Sequence, residues 1–135
     1  MTVPTRRIMP ARSLFVLVAF CSAILSTHAQ TRPEATSLLG KPLYPMELSP
    51  EARKPLEANL AQAEAEFAKD PTNEEAIIWL GRRQAYLWRY RDAIETFSKG
   101  IALHPKSYRL YRHRGHRYIT VREFDRAVSD FEKAA

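Results

Sequence analysis

Cysteine is nearly absent from this sequence. Among 135 residues there is one, Cys21, inside an apolar run near the start. The remainder of the chain therefore forms no internal disulfide, even in an oxidising compartment, and its stability must come from packing. Glycine is scarce as well, at four residues, and no Gly-rich phosphate loop is present. HExxH, GxSxG and Cys–His arrangements are also missing. Catalysis needs a convergent set of nucleophilic, acid–base or metal-binding groups, and the sequence offers none. We expect a non-enzyme with no catalytic residues, no cofactor and no metal.

Long apolar runs are lacking too. The longest, LFVLVAFCSAIL, covers residues 14–25. As a helix it would span ~18 Å, well short of a bilayer core of ~30 Å. A basic start (MTVPTRRIMPARS) precedes it and the small-residue stretch STHA follows. That order predicts a signal peptide over 1–29, cleaved after Ala29, with export to the periplasm or secretion and no stable membrane span after cleavage. Phe20 stands before Cys21 where a lipoprotein signal carries a small residue, so lipid anchoring is not expected.

Strong net charge is the third absence. The chain has 21 Lys and Arg against 15 Asp and Glu, but Arg6, Arg7 and Arg12 fall in the acid-free signal segment. The rest carries a net charge of only +3, too mild to argue for nucleic acid.

What is present is helical patterning. Residues 30–48 hold Pro33, Pro42 and Pro45 and read as an extended linker, with Leu38, Leu39, Leu43 and Tyr44 resting on the domain. Residues 49–70 read as a leading packing helix. Ser49-Pro50-Glu51 is a good helix start, although Pro55 argues for regular helix from about Lys54. Leu56, Leu60, Ala63 and Phe67 share one face.

From residue 74 onward the sequence matches itself at an offset of 34 residues. Gly81 maps to Gly115, Arg83 to Arg117, Tyr90 to Phe124, Ala93 to Ala127, Ile94 to Val128, Phe97 to Phe131 and Gly100 to Ala134. These are mostly the small, apolar and aromatic residues that packing selects. A fixed period of this size means stacked supersecondary units. We place helices at about 74–88 and 92–103 in a first unit (74–107), and at about 108–120 and 124–135 in a second (108–135), incomplete at its end.

With Leu80-Gly81, Tyr90, Ala93, Phe97, Gly100 and Pro105 in one unit and Tyr111, Gly115, Tyr118, Phe124, Ala127, Phe131 and Ala134 in the next, the stretch resembles tetratricopeptide (TPR) repeats. Two positions depart from that pattern. Gln84 stands where Tyr is usual, and Arg114 where Leu is expected, so Arg114 must snorkel to water or leave a weak contact. The resemblance implies an all-α fold of helix-turn-helix repeats stacked as a short right-handed α-solenoid. It also implies a protein–protein interaction (scaffold or adaptor) role, with a concave groove for a peptide or protein partner. By repeat register the groove comprises Glu75, Ile78, Arg82, Ala85 and Tyr86 from the first unit, with Arg109, Arg112, His116, Ile119 and Thr120 from the second. Arg82, Arg109, Arg112 and His116 would form a basic strip suited to an acidic partner.

Three features bear on other functions. His113 and His116 are three apart on a helix, but the arginines around them repel a cation and no third ligand is near, so metal binding is not expected. The run YRHRGHRY interleaves base-stacking and phosphate-binding types, yet its tyrosines occupy packing positions and export removes it from intracellular nucleic acid. Finally, the last helix ends without the closing proline seen at Pro105. Its uncapped face points either to the N-terminal portion of a longer repeat protein, such as the targeting or regulatory front of a larger enzyme or envelope assembly, or to self-association.

Overall fold

The computed structural model describes residues 32–135; residues 1–29, where a signal peptide and its cleavage are expected, lie outside them. Five helices follow a short hairpin: α1 (Pro50–Lys69), α2 (Glu74–Tyr86), α3 (Tyr90–Leu103), α4 (Tyr108–Thr120) and α5 (Phe124–Ala134). Each packs against the next in chain order, and α2 also touches α4. The result is an all-α, right-handed solenoid of stacked helix-turn-helix units.

Local chemistry sets the helix starts. Ser49, Asn73 and Ser107 each accept a hydrogen bond from the backbone N–H three residues on, at 3.3, 3.0 and 3.2 Å. They satisfy donors that have no partner inside the helix. Asn73 and Ser107 are one repeat period apart, so the same device opens α2 and α4. The leading helix begins at Pro50, earlier than the expected Lys54, and carries Pro55 inside it. Pro55 removes one hydrogen bond in the exposed first turns, where water can replace it, and the helix is not broken.

Equivalent turns join the paired helices. Trp88 and Arg122, one period apart, both adopt left-handed backbone with φ of 65° and 67°. Within the core the helices approach closely through small residues. A Cβ placed on Gly81 would lie 2.5 Å from the Phe97 ring, and one on Gly100 would lie 2.7 Å from Ile77 Cγ2. Phe97, Ile77, Ile78 and Leu110 fill the space this creates and are the largest fully buried side chains.

The stretch read as a linker is more structured than its prolines implied. Ala35–Thr36 (β1) and Pro42–Leu43 (β2) pair antiparallel across a turn in which Gly40 has φ 75°. Glu34 accepts a hydrogen bond from the Arg91 N–H at 2.8 Å, and Ala35 is buried against Tyr118, Val121 and Ala127. The four residues expected to rest on the domain do not: Leu38 and Leu39 are 85% exposed, and Leu43 and Tyr44 point to solvent. Glu34 and Ala35 hold the hairpin instead.

Arg114 neither snorkels nor weakens its contact. Its guanidinium donates to both Asp130 carboxylate oxygens at 2.8 and 2.7 Å and to Ser98 Oγ at 3.0 Å. The side chains are 16% and 3% exposed, so this is an inward ion pair bridging α4 and α5. The other departure is compensated in the same way. Gln84 accepts a hydrogen bond from Thr96 Oγ1 at 2.7 Å, and Thr96 is the repeat equivalent of Asp130. Where the first unit has Leu80 with a Gln84–Thr96 bond, the second has Tyr118 with an Arg114–Asp130 pair.

Candidate functional face on the paired first helices

α4 supplies most of the charge. Its 13 residues, YRLYRHRGHRYIT, contain six basic side chains and no acid. Two of the six are paired within the chain: Arg114 on buried Asp130, and Arg109 on Glu75 at the surface at 2.6 Å, with Glu74 farther off at 4.0 Å. That leaves Arg112, His113, His116 and Arg117 on α4, facing Arg82 of α2.

The residues expected to line a groove divide into several groups. Ile78 and Ala85 are 1% and 5% exposed and belong to the core, because the close approach of α2 to α3 buries them; Ile78 offers a partner no surface, and Ala85 shows only in the lining of a small cavity. Arg109 is neutralised by Glu75, itself a groove position, so this part of the strip is an ion pair and not a free cation. Arg112 and His116 are exposed, and the His116 ring meets Phe131 edge-on at 5.2 Å. Tyr86 and Ile119 are 42% and 44% exposed. Thr120 donates to the His116 carbonyl. Arg82 donates to the Tyr86 hydroxyl at 3.0 Å, and its guanidinium lies over the Trp79 ring.

Between α2 and α4 these side chains enclose a cavity of about 70 Å³, lined by Arg82, Ala85, Tyr86, Phe97, His113 and Arg117. His113 and Arg117 were given no role by repeat register. A signal for Arg117 was present in its match to Arg83 at the 34-residue offset. The same face one unit earlier carries Trp79 and Arg83. There it borders a larger hollow of about 570 Å³ against α1.

Burial shapes the chemistry of the small cavity. The His113 ring stacks on Phe97, with centroids 5.7 Å apart. Desolvation, and then the positive charge of Arg112, Arg82, Arg109 and His116, pulls its pKa from 6.5 to about 4. The imidazole is therefore neutral near pH 7. Because the folded value lies below the unfolded one, the associated stability is complete above pH 6.5 and is lost as pH falls toward 4. We expect the unfolding free energy to drop over that window by on the order of 1–2 kcal/mol, after allowing for solvent screening. A His113→Phe variant should show a flatter dependence in denaturation curves at matched pH.

His113 and His116 turn to different aromatic partners, Phe97 and Phe131. Among the described residues, no group of three or more His, Cys, Asp or Glu is placed to hold a metal ion.

No model of a known protein family matches the chain, and no curated protein matches it. Solved structures do. The chain is similar to MamA AMB-1, with a TM-score of 0.54 and 21% identity, over 61% of this chain and 45% of that one. It is similar to MamA MSR-1 with the same TM-score and identity, over 61% of this chain and 47% of that one. The likeness establishes the fold, a TPR-like helical repeat. This chain spans less than half the length of either neighbour.

Proposed function

We propose that this protein is an exported, non-catalytic interaction module that binds an acidic peptide or protein segment along the α2–α4 face. One observation carries the reading: after the pairs within the chain are made, α4 still presents Arg112, His116 and Arg117, with no acid on that helix to neutralise them. Tyr86 and Ile119, both partly exposed, supply apolar contact beside the charge. The likeness to TPR-like MamA structures supports a scaffold role. Export rests on the order of basic, apolar and small residues in 1–29.

Each exposed ion pair is worth only about 0.2–1 kcal/mol, so affinity comes from several pairs and apolar contact together. Arg112→Glu replaces an attraction with a repulsion on an exposed site. We expect it to weaken binding of a capped glutamate-rich peptide by roughly 3–10-fold without lowering the unfolding midpoint. Fluorescence anisotropy at low and moderate salt measures this; unchanged binding would remove Arg112 from the interface.

A second association surface has separate support. Phe124 and Val128 on α5 are 51% and 57% exposed, while their first-unit equivalents Tyr90 and Ile94 are partly buried. This face would take another copy of the chain or a following repeat unit. In the latter case the module is the front of a larger enzyme or envelope assembly.

A further inference from the structure

The hairpin holds its apolar side chains out in water. Leu38 and Leu39 are almost fully exposed, and Leu43, Tyr44 and Met46 are exposed as well. Between Leu38 and Met46 the one charged side chain is that of Lys41. Single exposed leucines are ordinary on a protein surface, but five large apolar residues within one short stretch form a patch, and such patches mark contact surfaces. The hairpin does not rely on them for its own position. It is held at its base, where Ala35 is buried, Glu34 accepts from the Arg91 N–H, and Arg91 Nε donates to the Pro33 carbonyl at 3.3 Å.

Shape and backbone chemistry together indicate what the patch fits. Leu43 and Tyr44 are adjacent, so in extended chain their side chains leave on opposite faces, and both are exposed. A flat protein surface would cover one face of this tip, whereas lipid surrounds a protruding tip from every side. Most loops are kept out of an apolar phase by backbone donors that lack partners. Here the Ser37 N–H donates to the Lys41 carbonyl at 2.8 Å, the Gly40 N–H to the Ser37 carbonyl at 3.0 Å, and the Lys41 N–H to Ser37 Oγ at 3.0 Å. Pro42 and Pro45 have no N–H to satisfy. Lys41 and Tyr44 are types that settle at a bilayer boundary, the ammonium beside headgroup phosphates and the phenol hydroxyl toward water. Placement agrees: residues 26–33 join the apolar run 14–25 to Glu34 and reach at most ~29 Å when extended, so export brings the hairpin to a membrane surface.

We propose that this hairpin tip is a shallow membrane-docking loop, in which Leu38, Leu39, Leu43 and Tyr44 enter the headgroup boundary of an anionic bilayer beside Lys41. The loop holds the repeat domain at the membrane surface. It is separate from the α2–α4 face and does not depend on the acidic-partner reading.

The test uses the full chain carrying Val18→Asp and Phe20→Asp, which stop the apolar run 14–25 from holding a bilayer by itself. The probes are vesicles of phosphatidylcholine with phosphatidylglycerol. We expect the chain to co-sediment with them. Leu38→Ser with Leu39→Ser should weaken binding by roughly tenfold or more, since withdrawing one leucine from water is itself worth about a factor of ten. The unfolding midpoint should not change, because both side chains stand in solvent. In a Cys21→Ser background, a fluorophore on Leu39→Cys should be quenched by nitroxide-bearing lipid. One on Lys106→Cys, beyond the far end of α3 from Arg91, should not. An unquenched label at position 39 on bound vesicles would overturn the proposal, as would binding undiminished by the serine pair or no vesicle binding at all. Self-association abolished by the serine pair, without vesicle binding, would make the tip a contact between copies and overturn it equally. Binding of a glutamate-rich peptide should survive the serine pair, and vesicle binding should survive Arg112→Glu, so the two readings fail separately.

Discussion

Asp130→Ala should cost about 3 kcal/mol of folding stability, near the lower end of the ~3–5 kcal/mol for breaking a buried ion pair. Asp130 is 2% exposed and holds both prongs of the Arg114 guanidinium. Its loss leaves that charge with Ser98 and the Tyr111 and Tyr118 rings, and no anion, at the α4–α5 contact. Arg114, at 16% exposure, retains a path to water, which keeps the cost from the top of the range. The pair itself need not add net stability, because desolvating two charges offsets most of their attraction. Arg114→Leu combined with Asp130→Thr copies Leu80 and Thr96 of the first unit. We expect that double variant to recover most of the loss in urea unfolding, and a double variant as unstable as Asp130→Ala would show that the ion pair is not replaceable.

Gly81→Ala should be nearly as damaging, at about 2–3 kcal/mol, although alanine is the better helix former by ~1 kcal/mol. The new methyl would fall 2.5 Å from Phe97 Cε1 and Cζ. Phe97 is 1% exposed and cannot swing into solvent. It can give way only by pushing toward His113, whose ring stacks on it. The strain therefore reaches the α2–α4 cavity, and peptide binding should fall together with stability. Phe97→Leu in the Gly81→Ala background should restore part of the midpoint, since it removes the clashing ring edge. A fully stable single variant, by thermal melting, would refute the close-contact account.

The packing skeleton was legible in the sequence because close contact restricts residue choice. Gly81 with Phe97 and Gly115 with Phe131 recur at a fixed offset, since few other residues fit. Polar pairing was not legible. Arg114 looked anomalous because its partner lies 16 residues away on another helix, and Arg109 looked free because Glu75 meets it across 34 residues. Repeat register gives the direction of a side chain but not what the neighbouring helix places in front of it. For the same reason it assigned Ile78 to a surface and gave His113 no task. The hairpin escaped because two residue pairs between prolines leave no periodic signal, and its anchors, Glu34 and Ala35, are a lone acid and a lone small residue.

The left-handed turn residues have a consequence for architecture. Trp88 and Arg122 share neither size nor charge, yet both hold φ near 65°. Such a conformation costs a non-glycine residue ~1 kcal/mol or more, so the surrounding helix contacts, and not the residue's own preference, must enforce it. The left-handed turn conformation is then the same in both units while the turn side chain differs. The reversal between paired helices is thus set by backbone shape, which lets successive repeats differ in side chain at their turns.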